Sequence, residues 1–205
     1  VLAGITERWG ADRVLHARGL DHCRSTDEYG FDAAAEVARA ADVVVLCLGE
    51  DAGLSGEAHC RAFIQLPGAQ QRLLEHLAAT GVPVVAVVMA GRALALAPVV
   101  EHARAVLLAW HPGSLGGPAV ADLLFGEPPS GRLPVSLPRS VGQVPLYYGH
   151  KNTGRPPDPH AASIPSGTPL DPSGFFSAYL DEDHRPLFPF GFGLGYTQFE
   201  YSDLQ

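Results

Sequence analysis

An α/β fold built on a mostly parallel sheet is what this sequence predicts, and three observations carry the prediction. Continuous apolar runs rich in β-branched residues recur along the first two thirds of the chain, segments of helical period lie between them, and Gly or Pro marks the junctions. A strand with one wet face alternates apolar and polar residues, whereas an unbroken Val/Leu run belongs to a strand covered on both faces. Such strands alternating with helices form parallel crossover units, because a helix is the economical return to the same end of a sheet.

The apolar runs fall at residues 14–17, 43–48, 84–89 and 105–109. Helical patterns occupy residues 33–40, 67–80 and 117–125, with Pro67 suited to a first helical turn and Gly81 to the stop after Thr80. After Gly126 the texture changes. Pro128, Pro129, Pro134, Pro138 and Pro145 separate short extended pieces, and residues 151–173 are rich in Pro, Gly and Ser with little apolar periodicity. A loop of that length is usually functional or disordered. The aromatic stretch Leu187-Phe188-Pro189-Phe190-Gly191-Phe192-Gly193 then returns to something that must pack. With 205 residues, 46% hydrophobic content and no internal repeat, the chain reads as one domain.

Composition narrows the function before any motif is considered. The formal charge is −8, and Lys151 is the single lysine among 14 basic residues that form no stripe able to neutralise a row of phosphates. Nucleic acid is therefore not an expected partner. Cys23, Cys47 and Cys60 lack the C-x-x-C spacing of a zinc or redox site. Cys47, inside an apolar run, reads as a small buried hydrophobe. The nine histidines show no pair spaced to ligate from one helix, so no metal site is expected. The longest apolar tract, residues 82–100, is broken by Pro83, Gly91, Arg92 and Pro98, and no basic start precedes an apolar stretch. Neither a membrane span nor a signal peptide is read. The chain begins without Met, inside the amphipathic-looking Leu2-Ala3-Gly4-Ile5, and the expectation is that an upstream part has been removed, a signal included if there was one.

In open parallel sheets ligands gather at the carboxyl ends of the strands. Three polar, glycine-rich ends are expected here: Gly49-Glu50-Asp51 with the loop to Arg61, Ala90-Gly91-Arg92, and Trp110-His111-Pro112-Gly113. The first presents Glu57 in the loop Leu54-Ser55-Gly56-Glu57-Ala58-His59-Cys60-Arg61. A loop carboxyl beside a cleft acts as a general acid/base where its surroundings raise its pKa toward the working pH. Most loop glutamates are simply solvated, so this feature alone decides nothing.

Read in order, the motifs are more specific. Ser55-Gly56-Glu57-Ala58-His59-Cys60-Arg61 is followed by Leu66-Pro67-Gly68-Ala69-Gln70-Gln71, then Ala109-Trp110-His111-Pro112-Gly113 with Gly116-Gly117-Pro118-Ala119-Val120-Ala121-Asp122 and Leu124-Phe125-Gly126. Pro129-Ser130-Gly131-Arg132-Leu133-Pro134, Gly142-Gln143-Val144-Pro145, Asn152-Thr153-Gly154-Arg155-Pro156 and the aromatic stretch at 187–193 complete the series. The chain resembles the C-terminal domain of glycoside hydrolase family 3, of the bacterial periplasmic β-glucosidase type, over residues 42–199. Residues 1–41 match loosely, and Gly195 departs from the family's usual Ser.

The resemblance implies a six-stranded, mostly parallel sheet sandwiched between helices and packed on a (β/α) barrel, with the active site at the junction. It implies retaining hydrolysis of β-linked glucosides or related oligosaccharides without a cofactor. By motif position Glu57 is the acid/base, and an Asp on the barrel is the nucleophile. Neither the barrel nor the family's trailing fibronectin-like domain is recognised within these 205 residues. The resemblance favours a periplasmic or secreted location, with the cytoplasm the other option.

Around that core several assignments stay open. Asn152 and Arg155 read either as substrate-binding residues on the lip of a sugar cleft or as parts of a plain loop. Trp110 reads first as core packing and second as a stacking platform for a sugar. Glu50 and Asp51 read as solvated or helix-capping carboxylates, or as sugar hydrogen-bonders. A β-xylosidase or other β-glycosidase of the same family is one alternative activity, and a non-catalytic carbohydrate-binding or interaction module of the same fold is another. An α/β-hydrolase centred on Ser114 is disfavoured, because Pro112 occupies a position where the nucleophile elbow needs Gly. The glycines at 191–195 follow no β-branched strand and open no helix, so they read as a closing turn rather than a dinucleotide loop.

Overall fold

Three of the apolar runs become strands in the computed structural model, which describes residues 1–157, 164, 166–169 and 177–203. They are β1 (Val44–Gly49), β2 (Val84–Met89) and β3 (Ala105–Leu108), hydrogen-bonded in that order. Both pairings are parallel, with Cys47 opposite Val87 and Val87 opposite Leu107. The helices are α1 (Leu2–Trp9), α2 (Phe31–Arg39), α3 (Gln70–Ala78), α4 (Ala97–His102) and α5 (Gly116–Leu124). The α/β class with a parallel sheet is thus as expected.

Alternation along the strands sends Leu46, Leu48, Val84, Ala86 and Val88 into one core with Ala35 and Ala38 of α2, Leu73, Leu74 and Leu77 of α3, and Val99 of α4. Leu74 is wholly buried, and full burial of a Leu side chain is worth about 2–3 kcal/mol. Helices α1 and α5 form a separate pair. Trp9 stacks on Phe125 with ring centroids 4.8 Å apart, and Gly4 lies so close to the backbone of Gly117 that a Cβ there would stand 2.5 Å from its carbonyl oxygen. The Val1 amino group sits against Gly117, and the pair's buried residues Val120 and Ala121 stand outside the core cluster of the α2–α4 layer.

Several expectations need correction. Among the described residues the sheet has three strands rather than six. Residues 14–17 form no strand; Ala17 rests on the core while Leu15 is 54% exposed. The late extended pieces approach a ladder and fail to build one. Leu137 and Phe188 form a single antiparallel bridge, and Leu133 exchanges backbone bonds with Phe192 and Gly191. Pro134, Pro138, Pro186 and Pro189 interrupt that pairing, because proline brings no N–H to a ladder. Cys47 is solvent-exposed rather than buried, although the protein around it still raises its thiol pKa by desolvation. Helix α3 begins at Gln70 and not at Pro67, since Gly68 turns the chain with a φ of 63°. Part of the 151–173 loop lies outside the described residues.

Candidate functional site

The carboxyl ends of the three strands carry the polar groups, as the sheet rule requires. Gln70, at the start of α3, secures the first end. Its buried side-chain amide accepts from the Gly49 N–H at 2.7 Å and donates to the carbonyls of Gly49 and Cys23 at 2.7 Å each. A second anchor follows one residue later. The Glu50 N–H donates to the Met89 carbonyl at 2.8 Å, continuing the β1–β2 ladder, and the Glu50 side chain turns wholly inward.

Two guanidinium groups meet that buried carboxylate. Arg92, at the end of β2, donates through Nε to Glu50 Oε2 at 3.0 Å, and Arg61 donates through Nη1 to Oε1. Both pairs are mostly buried, with the Arg side chains 18% and 21% exposed. A buried carboxylate is tolerated because each oxygen is engaged, and stripping away one partner of such a pair costs on the order of 3–5 kcal/mol. Glu50 is therefore neither solvated nor a helix cap, nor is it exposed to substrate. Arg61 is likewise committed, since its Nη2 also donates to the Gln65 carbonyl at 3.0 Å.

Arg92 reaches further. Its Nη2 donates to the carbonyl of Leu54 and, at 2.8 Å, to that of His59. Between these acceptors the chain makes a tight excursion, with φ of 112° at Gly56 and 63° at Ala58. Glu57 stands between them, exposed, and its carboxylate forms no hydrogen bond or ion pair with another described residue. On the neighbouring strand ends, a Cβ at Gly91 would fall 2.4 Å from Ser55 Oγ and 2.7 Å from His111 Nε2, so only glycine lets these side chains close over β2. Asp51 accepts from the Cys23 thiol at 3.2 Å. The thiol pKa rises through burial and then this bond, while the same bond holds the Asp51 carboxyl below its ordinary range.

Trp110 has a φ of 51° and is half-buried at the end of β3, outside the core cluster. Asn152 and Arg155 are exposed in the segment after the sheet, where the Arg155 carbonyl accepts from the Ser177 N–H at 2.9 Å. No bond joins Asn152 to the 50–65 loop among the described residues, nor do three His, Cys, Asp or Glu side chains gather as a metal would require. No described helix is long and apolar enough to cross a membrane. The residues that sequence reasoning missed are Glu50 and Arg92 acting together. Their signal is a charged residue directly after a glycine at a strand end, Gly49 closing β1 and Gly91 just beyond β2, but their pairing across 42 positions carries no signal in the sequence.

Residues 1–196 match the glycosyl hydrolase family 3 C-terminal domain. The chain belongs to that family. It is 48% identical to the periplasmic β-glucosidase of Salmonella typhimurium, covering 100% of this chain and 28% of that protein. It is 37% identical to a β-xylosidase of Formosa agariphila, covering 98% and 26%. A β-glucosidase from Listeria innocua, solved in complex with gluconolactone, superposes with a TM-score of 0.78 at 38% identity over 87% of this chain and 24% of that one. The family 3 domain thus spans about a quarter of the length of the relatives it matches.

Proposed function

We propose that this chain is the second, α/β domain of a retaining β-glucosidase and that Glu57 is its acid/base. A (β/α) barrel of the same protein supplies the nucleophile, an Asp carboxylate. In the first step that carboxylate attacks the anomeric carbon while Glu57 gives its proton to the glycosidic oxygen, and the aglycone departs as an alcohol. In the second, Glu57 takes a proton from water as the water displaces the enzyme carboxylate, and the sugar leaves with its original configuration. Retention requires the two carboxyl groups to stand about 5–5.5 Å apart, and in this reading the second reaches Glu57 from the barrel across the domain junction.

One observation carries the choice of residue. Of the two glutamates on the loop that leaves β1, Glu50 is sealed between Arg61 and Arg92, whereas Glu57 is exposed with no partner of its own among the described residues. Only Glu57 is available to a leaving group. Identity to a periplasmic β-glucosidase supports glucosides as substrates and the periplasm as location, which fractionation of the native host tests directly. Identity to a β-xylosidase supports a second reading in which the sugar is xylosyl. Asn152 and Arg155 are proposed for the lip of the sugar site, and their alanine variants should raise KM.

In the full-length protein, Glu57→Gln should slow cellobiose by about 10²–10⁴-fold, the usual contribution of general acid catalysis, while sparing kcat/KM for dinitrophenyl glucoside, whose leaving group needs no proton. The basic limb of the pH profile should disappear. Azide should restore turnover of Glu57→Ala and yield β-glucosyl azide. Equal slowing of both substrates would remove Glu57 from the reaction, and faster turnover of nitrophenyl xyloside than of the glucoside would favour the xylosyl reading.

A further inference from the structure

A general acid that later serves as a base must hold one position through two chemical steps, and a small misplacement of a reacting group is enough to cost about 10²-fold in rate. Glu57 obtains no such position from its own contacts, because its carboxylate is exposed and unpaired among the described residues. Its place is set by backbone alone. The backbone of residues 54–59 carries one internal turn bond, His59 N–H to the Gly56 carbonyl at 3.2 Å, and passes through two left-handed residues. Turn bonds tie Leu54 and Ser55 back to the Asp51 and Ala52 carbonyls on the entering side, and a single terminal nitrogen of Arg92 joins the two sides, bonded to the carbonyls of Leu54 and His59 that flank Glu57. The other end of the same guanidinium is held by Glu50, whose side chain is wholly buried.

From these contacts we infer that Arg92, braced by Glu50, is a positioning residue for the acid/base: it draws the two feet of the Glu57 loop together over the end of β2 and thereby sets where the proton is delivered. The inference rests on the reading of Glu57 as acid/base. Planarity is essential to the role, since one side chain must serve a carboxylate and two carbonyls in different directions, and an ammonium on a flexible stem lacks that fork. Arg61 does not share the role, because its bonds beyond Glu50 go to Gln65, on the far side of the loop.

The test uses the full-length protein and Arg92→Lys, which keeps the charge beside Glu50 and removes the fork. Sites are counted by titration with an activated 2-fluoroglucoside, so that an unfolded fraction does not enter the rates. Per active site, kcat/KM for cellobiose should fall roughly tenfold to a hundredfold, and that for dinitrophenyl glucoside less than threefold. The basic limb of the pH profile should shift as the environment of Glu57 changes. The triple variant Arg92→Met, Glu50→Leu and Arg61→Met, which removes all three charges of the buried cluster together, should show the same substrate split. Equal loss on both substrates, or no loss on either, overturns the positioning role. Glu57→Gln is run beside them. If it shows the leaving-group split and the Arg92 variants do not, only the inference about Arg92 fails; if Glu57→Gln shows no split, the reading of Glu57 fails and takes this inference with it.

Discussion

Gly49 closes β1 with a φ of 135°, and a Cβ built on it would lie 1.7 Å from the Met89 carbonyl oxygen. That oxygen is the acceptor for the next amide, Glu50 N–H, so it cannot retreat without opening the β1–β2 ladder just where the charged cluster begins. The Gly49 amide and carbonyl are both bonded to Gln70 as well, which removes any freedom to rotate away. Gly49→Ala should therefore cost more than about 3 kcal/mol, combining a backbone clash with a conformation that L-residues rarely adopt. A urea midpoint within a few tenths molar of the parent would sink this account. At the same scale the sequence was only half legible. Its motif marked Glu57, but a buried carboxylate closed by two arginines depends on positions 11 and 42 residues away, and Glu50 alone looks like any loop acid.

Strands and helices were far more legible, because burial on both faces writes itself into composition. β1 and β3 begin or end within a residue of the apolar runs that announce them, and β2 coincides with its run. Periodicity could not separate α4 from the apolar tract around it, since its six residues are too few to display an amphipathic repeat. Residues 14–17 carried a strand's composition without a strand's neighbour, and a strand is defined by its partner. The closing aromatic segment shows the same dependence on distant groups. It is pinned by Gln143, whose side-chain amide donates to the Asp183 and Arg185 carbonyls at 2.6 and 3.2 Å, and by Asp183 paired with Arg185 at 2.6 Å. Hydrogen bonding from Arg185 comes first among the causes that depress the Asp183 carboxyl to about 2. A folded pKa below the unfolded value gives stability that is present above about pH 4 and lost as pH falls toward 2. With Arg185 56% exposed, screening leaves on the order of 1 kcal/mol. Amides of residues 183–192 should lose exchange protection between pH 4 and 2 before those of β2 do, and Asp183→Asn should abolish that difference; simultaneous loss in both regions would contradict it.

At the scale of the whole molecule, the proposed chemistry needs a nucleophile beside the acid/base, and among the described residues on the loop after β1 the exposed carboxyl groups are Asp51 and Glu57. Glu50 is sealed and Asp51 accepts from the Cys23 thiol, and in the proposed mechanism the attacking carboxylate is an Asp of the barrel. The 205-residue chain by itself is therefore expected to leave aryl β-glucosides untouched, even dinitrophenyl glucoside, which relieves Glu57 of proton donation but still demands an attacking carboxylate. Surface composition argues the same way. Phe63 on the Glu57 loop is 73% exposed and Leu115, before α5, is 76% exposed, and apolar groups left to water near a site proposed to lie at a domain junction favour association of the isolated chain. Light scattering should show oligomers growing with concentration, and Phe63→Ser with Leu115→Ser should reduce them. Turnover of dinitrophenyl glucoside by the pure chain, abolished by mutating one of its own carboxylates, would place nucleophile and acid/base within these residues and overturn the two-domain mechanism. A concentration-independent monomer would instead leave the mechanism standing and show that the strand-end surface needs no cover.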